Sequence, residues 1–80
     1  MKKELLSKIA NEINNLNNYN AVVLSYCYDW IIAVRQITQS KTNFYISKDL
    51  FNILSKYNIS ANVQKSGGGN NYLRLTIYLN

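Results

Sequence analysis

Near its C-terminal end the chain alternates without a break: Leu73, Leu75, Ile77 and Leu79 take every second position, and Tyr72, Arg74, Thr76 and Tyr78 fill the places between. Successive strand residues point to opposite sides of a sheet, so a period of two predicts a strand with one dry and one wet face. Ile59, Ala61 and Val63 alternate in the same way with Ser60, Asn62 and Gln64, and Ser66-Gly67-Gly68-Gly69-Asn70-Asn71 between the two runs has hairpin-loop composition. A sheet that is dry on one side needs something to cover it.

Two amphipathic segments supply the cover. Leu6, Ile9, Ile13 and Leu16, with Leu5 beside them, recur at helical spacing over residues 4–17, and the Asn-rich run Asn14 to Asn20 ends that helix near Leu16 to Asn18. The second helix starts at Lys48. Ser47 is placed to cap it, Asp49 suits the positive end of its dipole, and Ile46 and Phe51 are spaced for a hydrophobic staple. Leu50, Ile53, Leu54 and Tyr57 form its apolar stripe, and Asn58 suits a left-handed closing residue.

Between the helices, residues 21–28 and 30–38 are rich in β-branched and aromatic side chains and predict a hairpin turning at Tyr28-Asp29-Trp30. Apolar residues fall on both faces there, so periodicity leaves the register open. Phe44-Tyr45-Ile46 adds a short third strand to the reading. The expected order is α-β-β-β-α-β-β in one domain, residues 1–80: a two-layer α+β fold with a mostly antiparallel sheet of four or five strands and both helices on one face.

Eighty residues allow one small core, and such cores seldom supply more than about 3–5 kcal/mol without a disulfide, a metal or a second subunit. The lone Cys27 closes no internal disulfide, and with no His and only Glu4, Glu12, Asp29 and Asp49 as carboxylates no metal cluster or cofactor site is expected. Self-association into a homodimer remains one route to extra buried area. The unpaired Cys and the lack of a long apolar run point to a cytoplasmic protein that does not enter a membrane.

The same shortage argues against an enzyme, because acid–base catalysis near neutral pH needs a tunable His or a carboxylate pair. Glu4 and Glu12 fall on the exposed side of the first helix, and Asp29 and Asp49 have ready structural roles. Cys27, read inside an apolar strand, is expected to be a small buried hydrophobe, and Trp30 a core-edge residue. The triple glycine joins two strands and lacks the strand-to-helix setting of a phosphate loop.

The wet face of the last hairpin is the candidate site. Asn62, Gln64, Lys65, Asn70, Tyr72, Arg74 and Tyr78, with Thr76, bring planar, polar and cationic groups together. Tyr and Arg are enriched at protein hot spots, single-stranded nucleic acid stacks and pairs on the same groups, and Tyr and Thr are also simply good strand formers. The net charge of +5 and pI near 9.5 favour an acidic partner. The nine basic residues are spread along the chain, which weakens the nucleic-acid alternative.

Asn, Ile, Lys and Tyr, all encoded by A/T-rich codons, make up 36 of the 80 residues. Together with the small size, the missing catalytic groups and the compact α+β layout, this bias resembles the inhibitor proteins of phages and other mobile elements, the anti-CRISPR proteins among them. The resemblance implies a blocker that acts in the cytoplasm of a bacterial host on a Cas effector or another nuclease complex. The positive charge departs from the acidic DNA mimics of that group and implies a different mode of contact.

Overall fold

The computed structural model describes residues 2–65 and 72–79. Helix α1 (Lys2–Asn14) is followed by strands β1 (Tyr19–Tyr26) and β2 (Asp29–Gln36), helix α2 (Lys48–Tyr57), and strands β3 (Ser60–Lys65) and β4 (Leu73–Tyr78). The strands form one antiparallel sheet in the order β1-β2-β4-β3. The two-layer α+β architecture is as expected, with a sheet of four strands and a core on one side of it. Leu6, Ile9, Ala10 and Ile13 of α1 and Leu50 and Ile53 of α2 pack with Tyr19, Ala21, Ile32, Val34, Leu75 and Ile77 of the sheet. Each large member of that set contributes roughly 1.5–3 kcal/mol by leaving water.

Local chemistry sets the helix ends. Asn17 closes α1 with φ 66° after the Leu16 and Asn17 amides tighten the last turn onto the carbonyls of Ile13 and Asn14. At α2 the Ser47 hydroxyl accepts from the Leu50 amide at 3.1 Å, and Asn58 takes the left-handed conformation while its N–H returns to the helix's last turn. The two residues of the expected staple share a groove wall and are not buried by it. Ile46 and Phe51 both remain exposed, along a shallow groove between α2 and β3.

The expected strand at 44–46 is also absent, because a side chain takes the place of a ladder. The buried amide of Gln36 donates to the Asn43 carbonyl (2.9 Å) and accepts from the Tyr45 amide (2.5 Å), as a facing peptide group would. The Tyr19 hydroxyl donates to the Tyr45 carbonyl and accepts from the Ser47 amide at 2.9 Å, and its ring stacks on Phe44 with centroids 6.0 Å apart. The loop is thereby fixed without joining the sheet, and α2 starts at a fixed place.

Asn14 does the same at the sheet edge. In a two-residue hairpin the closing pair, here Tyr26 and Asp29, exchanges hydrogen bonds, so Ala21, Val23 and Ser25 turn their peptide groups outward. The Asn14 amide fills both positions of Ala21, donating to its carbonyl at 3.0 Å and accepting from its N–H at 2.7 Å. This blocks part of an edge that would otherwise pair with another strand.

Glu12 is not on the free side of α1, contrary to expectation, but ties the two helices together. Lys56 Nζ donates to Glu12 Oε1 at 2.8 Å and the Tyr57 hydroxyl donates to Oε2. These bonds, Lys56 first and Tyr57 second, hold the Glu12 carboxyl below its ordinary value, and the bond to Glu12 raises both Lys56 and Tyr57. A carboxylate depressed by folding stabilises the native state above its unfolded pKa, and the gain is lost as the pH falls through the lower native value. The two raised groups stabilise below their ordinary values and lose that gain as the pH rises through the native ones. The loss of stability on acidification below pH 4.5 should therefore be smaller in Glu12→Gln than in the wild type, read from urea midpoints at pH 7 and pH 3. A residual slope is expected from Asp29, which is lowered by bonds from Lys2 and then from the Trp30 amide.

Candidate docking face

The central pair of strands decides which side chains share a face. Leu75 and Ile77 of β4 lie opposite Val34 and Ile32 of β2, on the helix side, so Arg74, Thr76 and Tyr78 fall on the other side opposite Arg35, Ala33 and Ile31. On β3, Asn62 and Gln64 sit across from Thr76 and Arg74, and Tyr72 shares the parity of Arg74. On β1, Val22, Leu24 and Tyr26 join the same side through Ala33, Ile31 and Asp29. Neither helix packs on this face.

Five of the expected site residues are brought together there: Asn62, Gln64, Tyr72, Arg74 and Tyr78. Lys65 is not with them. It pairs with Leu73, one position out of phase, and shares the parity of the helix side at the exposed end of β3. Asn70 lies outside the described residues. Thr76 was expected to meet water, yet it is 1% exposed, with its hydroxyl accepting from Gln64 Nε2 at 2.9 Å. Ile31 is likewise only 3% exposed although it stands outside the helix-side core. The middle of the uncovered face is thus already dry, between rows of larger side chains.

Sequence reasoning missed the half contributed by the first hairpin. Val22, Leu24 and Tyr26 are 47%, 40% and 58% exposed and extend the dry centre to the β1 edge as an apolar row. Their alternation with Ala21, Val23 and Ser25 is hidden in the sequence because both sets are largely apolar. Arg35 was visible as the one basic residue of a largely apolar strand, but only the strand order sets it beside Arg74.

Those two arginines are Cα partners across β2 and β4. Like charges placed directly opposite are destabilising. Arg74 Nε is buried and has no hydrogen-bond partner, and neither guanidinium is hydrogen-bonded or ion-paired within the described residues. A buried donor left unmade costs about 1–3 kcal/mol. Asp29, the one described carboxylate on this side, lies at the far end and accepts from Lys2 Nζ at 2.6 Å and the Trp30 amide at 2.8 Å. The face presents apolar, aromatic and cationic groups with no counter-charge among the described residues at its centre.

Comparison of the chain with family models, curated proteins and solved structures returns no match. The chemistry of the face therefore carries the functional argument. It offers donors, rings and aliphatic surface, a set suited to recognition.

The turn beside Tyr26 corrects a further expectation. Cys27 is not inside a strand or buried: Cys27 and Tyr28 are the two turn residues, both exposed, with φ 49° and 67°. Trp30 instead pairs with Ser25 and packs partly buried against the core, with Lys3 Nζ 4.7 Å from its ring centroid. Left-handed backbone at both central positions is the geometry that Asn-Gly adopts without penalty and that side chains such as Cys and Tyr resist. Replacing the pair together, Cys27→Asn with Tyr28→Gly, should raise stability by about 1 kcal/mol after the larger entropy of the unfolded glycine is offset. The urea midpoint measures it.

Proposed function

We propose that this chain is a non-enzymatic binding protein that docks the uncovered face of its sheet on another protein. One observation carries the reading: Val22, Leu24 and Tyr26 stand exposed in a row, continuous with the desolvated Ile31, Ala33 and Thr76. Contiguous apolar surface of this type, rimmed by Tyr, Arg and amide side chains, marks protein contact sites. The likeness to small mobile-element inhibitors gives the partner a direction, a CRISPR–Cas effector or related nuclease complex that is blocked by contact. The setting that goes with it is the bacterial cytoplasm; no helix among the described residues is long and apolar enough to cross a membrane.

A photo-crosslinking residue placed at Leu24, with Asn11 on the outer side of α1 as control, tests the docking surface in a bacterial lysate. The expected result is one stoichiometric protein adduct from position 24 and none from position 11. Adducts from position 11 alone would move the interface to the helices. If the captured protein belongs to a nuclease complex, adding the purified chain should stop cleavage.

The second reading is a small nucleic-acid-binding protein, favoured by the adjacent Arg35 and Arg74 beside Tyr72. Affinity for oligonucleotides across a salt series separates it from the first. Two phosphate contacts give a log–log slope of only about −1.4 on a single strand, whereas a protein whose basic residues converge on the backbone gives a much steeper one.

A further inference from the structure

We infer that the partner seats a carboxylate between Arg35 and Arg74, presented by an acidic side chain with aliphatic neighbours; the inference rests on the docking reading above. The two guanidinium groups project from directly opposed positions on the uncovered face, and the Nε of Arg74 is already out of water without a partner. A desolvated donor beside a second cation, with no carboxylate of the described residues bonded to either, is complementary to an oxyanion that arrives with the partner. An arginine fork accepts a planar carboxylate through parallel N–H···O bonds, which gives direction as well as attraction.

The surroundings decide between a protein acid and a phosphodiester chain. Most other described cations are engaged or lie elsewhere: Lys2 on Asp29, Lys56 on Glu12, Lys3 over Trp30, Lys8 and Lys48 on the helices and Lys65 on the other parity of β3, while Lys41 follows Ser40, whose carbonyl accepts from the Leu73 amide beside Arg74. A nucleic-acid strand needs a row of cations along its backbone, and here one arginine pair, flanked across the strands by Asn20 and Gln64, adjoins the aliphatic row through Ala33 and Val22. One acid with apolar neighbours on the Val22 side matches that pattern.

The test uses the full chain, isotopically labelled for NMR, and three probes: a short capped peptide with one glutamate between leucines, the same peptide with glutamine, and oligothymidylate. The glutamate peptide should move the Arg35 and Arg74 signals and bind about tenfold more tightly than the glutamine peptide, as expected for charge-assisted hydrogen bonds. In Arg35→Gln, a change at an exposed position that leaves the fold intact, that preference should fall to near unity, with Arg35→Lys between. Equal binding of both peptides to the β1 side of the face would overturn the carboxylate site and leave the docking reading standing. No shift on this face with either peptide would also overturn it, while the crosslink from Leu24 judges docking separately. Tighter binding of oligothymidylate with steep salt dependence would replace it with a nucleic-acid site, and concentration-dependent shifts at Val22 and Leu24 without any probe would replace it with a second copy of the chain.

Discussion

Truncating Ile77 to alanine is expected to remove about 3–4 kcal/mol of stability, while Tyr78→Ala, one residue along, costs about 1 kcal/mol or less. Ile77 is fully buried against Ile32 and Ala61 under the helices, and its removal leaves a cavity that fixed strands on both sides cannot close. Tyr78 stands on the uncovered side, part-exposed next to Ile31 and Ser60. A core of this size supplies about 3–5 kcal/mol in total, so the Ile77 variant should be largely unfolded at 37 °C. Urea unfolding of the two variants side by side measures the contrast. Similar losses in both would mean that the strand is buried on both faces.

Gln36→Leu should be the most damaging polar substitution, at about 2–4 kcal/mol. It keeps the side chain's bulk but leaves the Asn43 carbonyl and the Tyr45 amide unpaired at a part-buried site, where each unmade group costs toward the lower end of about 1–3 kcal/mol. Tyr19→Phe releases the Tyr45 carbonyl and the Ser47 amide beside it and should cost about 1–2 kcal/mol. In Gln36→Leu the Tyr45 amide should also lose its protection from hydrogen exchange, with less change at Leu6 and Ile9. An unchanged Tyr45 exchange rate would show that the loop is held by something other than the Gln36 amide.

Features carried by one local rule were legible in the sequence. The second helix is bounded by two short-range devices, the Ser47 hydroxyl and the left-handed Asn58, and both act as their residue types require. The last two strands could be read because Leu75 and Ile77 on one side and Arg74 and Tyr78 on the other differ sharply in polarity, so the period of two is visible. That contrast is missing in the first hairpin, where Val22 and Val23 or Ile31 and Ile32 are equally apolar and point to opposite faces. Its turn was hidden for a different reason: Cys27 and Tyr28 adopt left-handed backbone without the Asn or Gly that announces it.

What stayed illegible was long-range. Gln36 replaces a strand ladder through contacts nine residues away, so Phe44-Tyr45-Ile46 has strand composition without strand pairing. The candidate site was half visible, since Arg74 and Tyr78 belong to a readable strand, but Arg35 joins Arg74 only because β4 inserts between β2 and β3. Lys65 was included with the site for its nearness at the strand end, but the period of two gives it the opposite direction.

The most direct measurement is paramagnetic relaxation of the methyl groups by an inert, water-soluble gadolinium chelate. A sheet covered on one side predicts strong relaxation at Val22 and Leu24 and protection at Ile32, Val34, Leu75 and Ile77, with Ile31 protected despite lying on the uncovered side. Protection of Val22 and Leu24 to the level of Ile32 would place a layer over that face and leave no surface there for a partner.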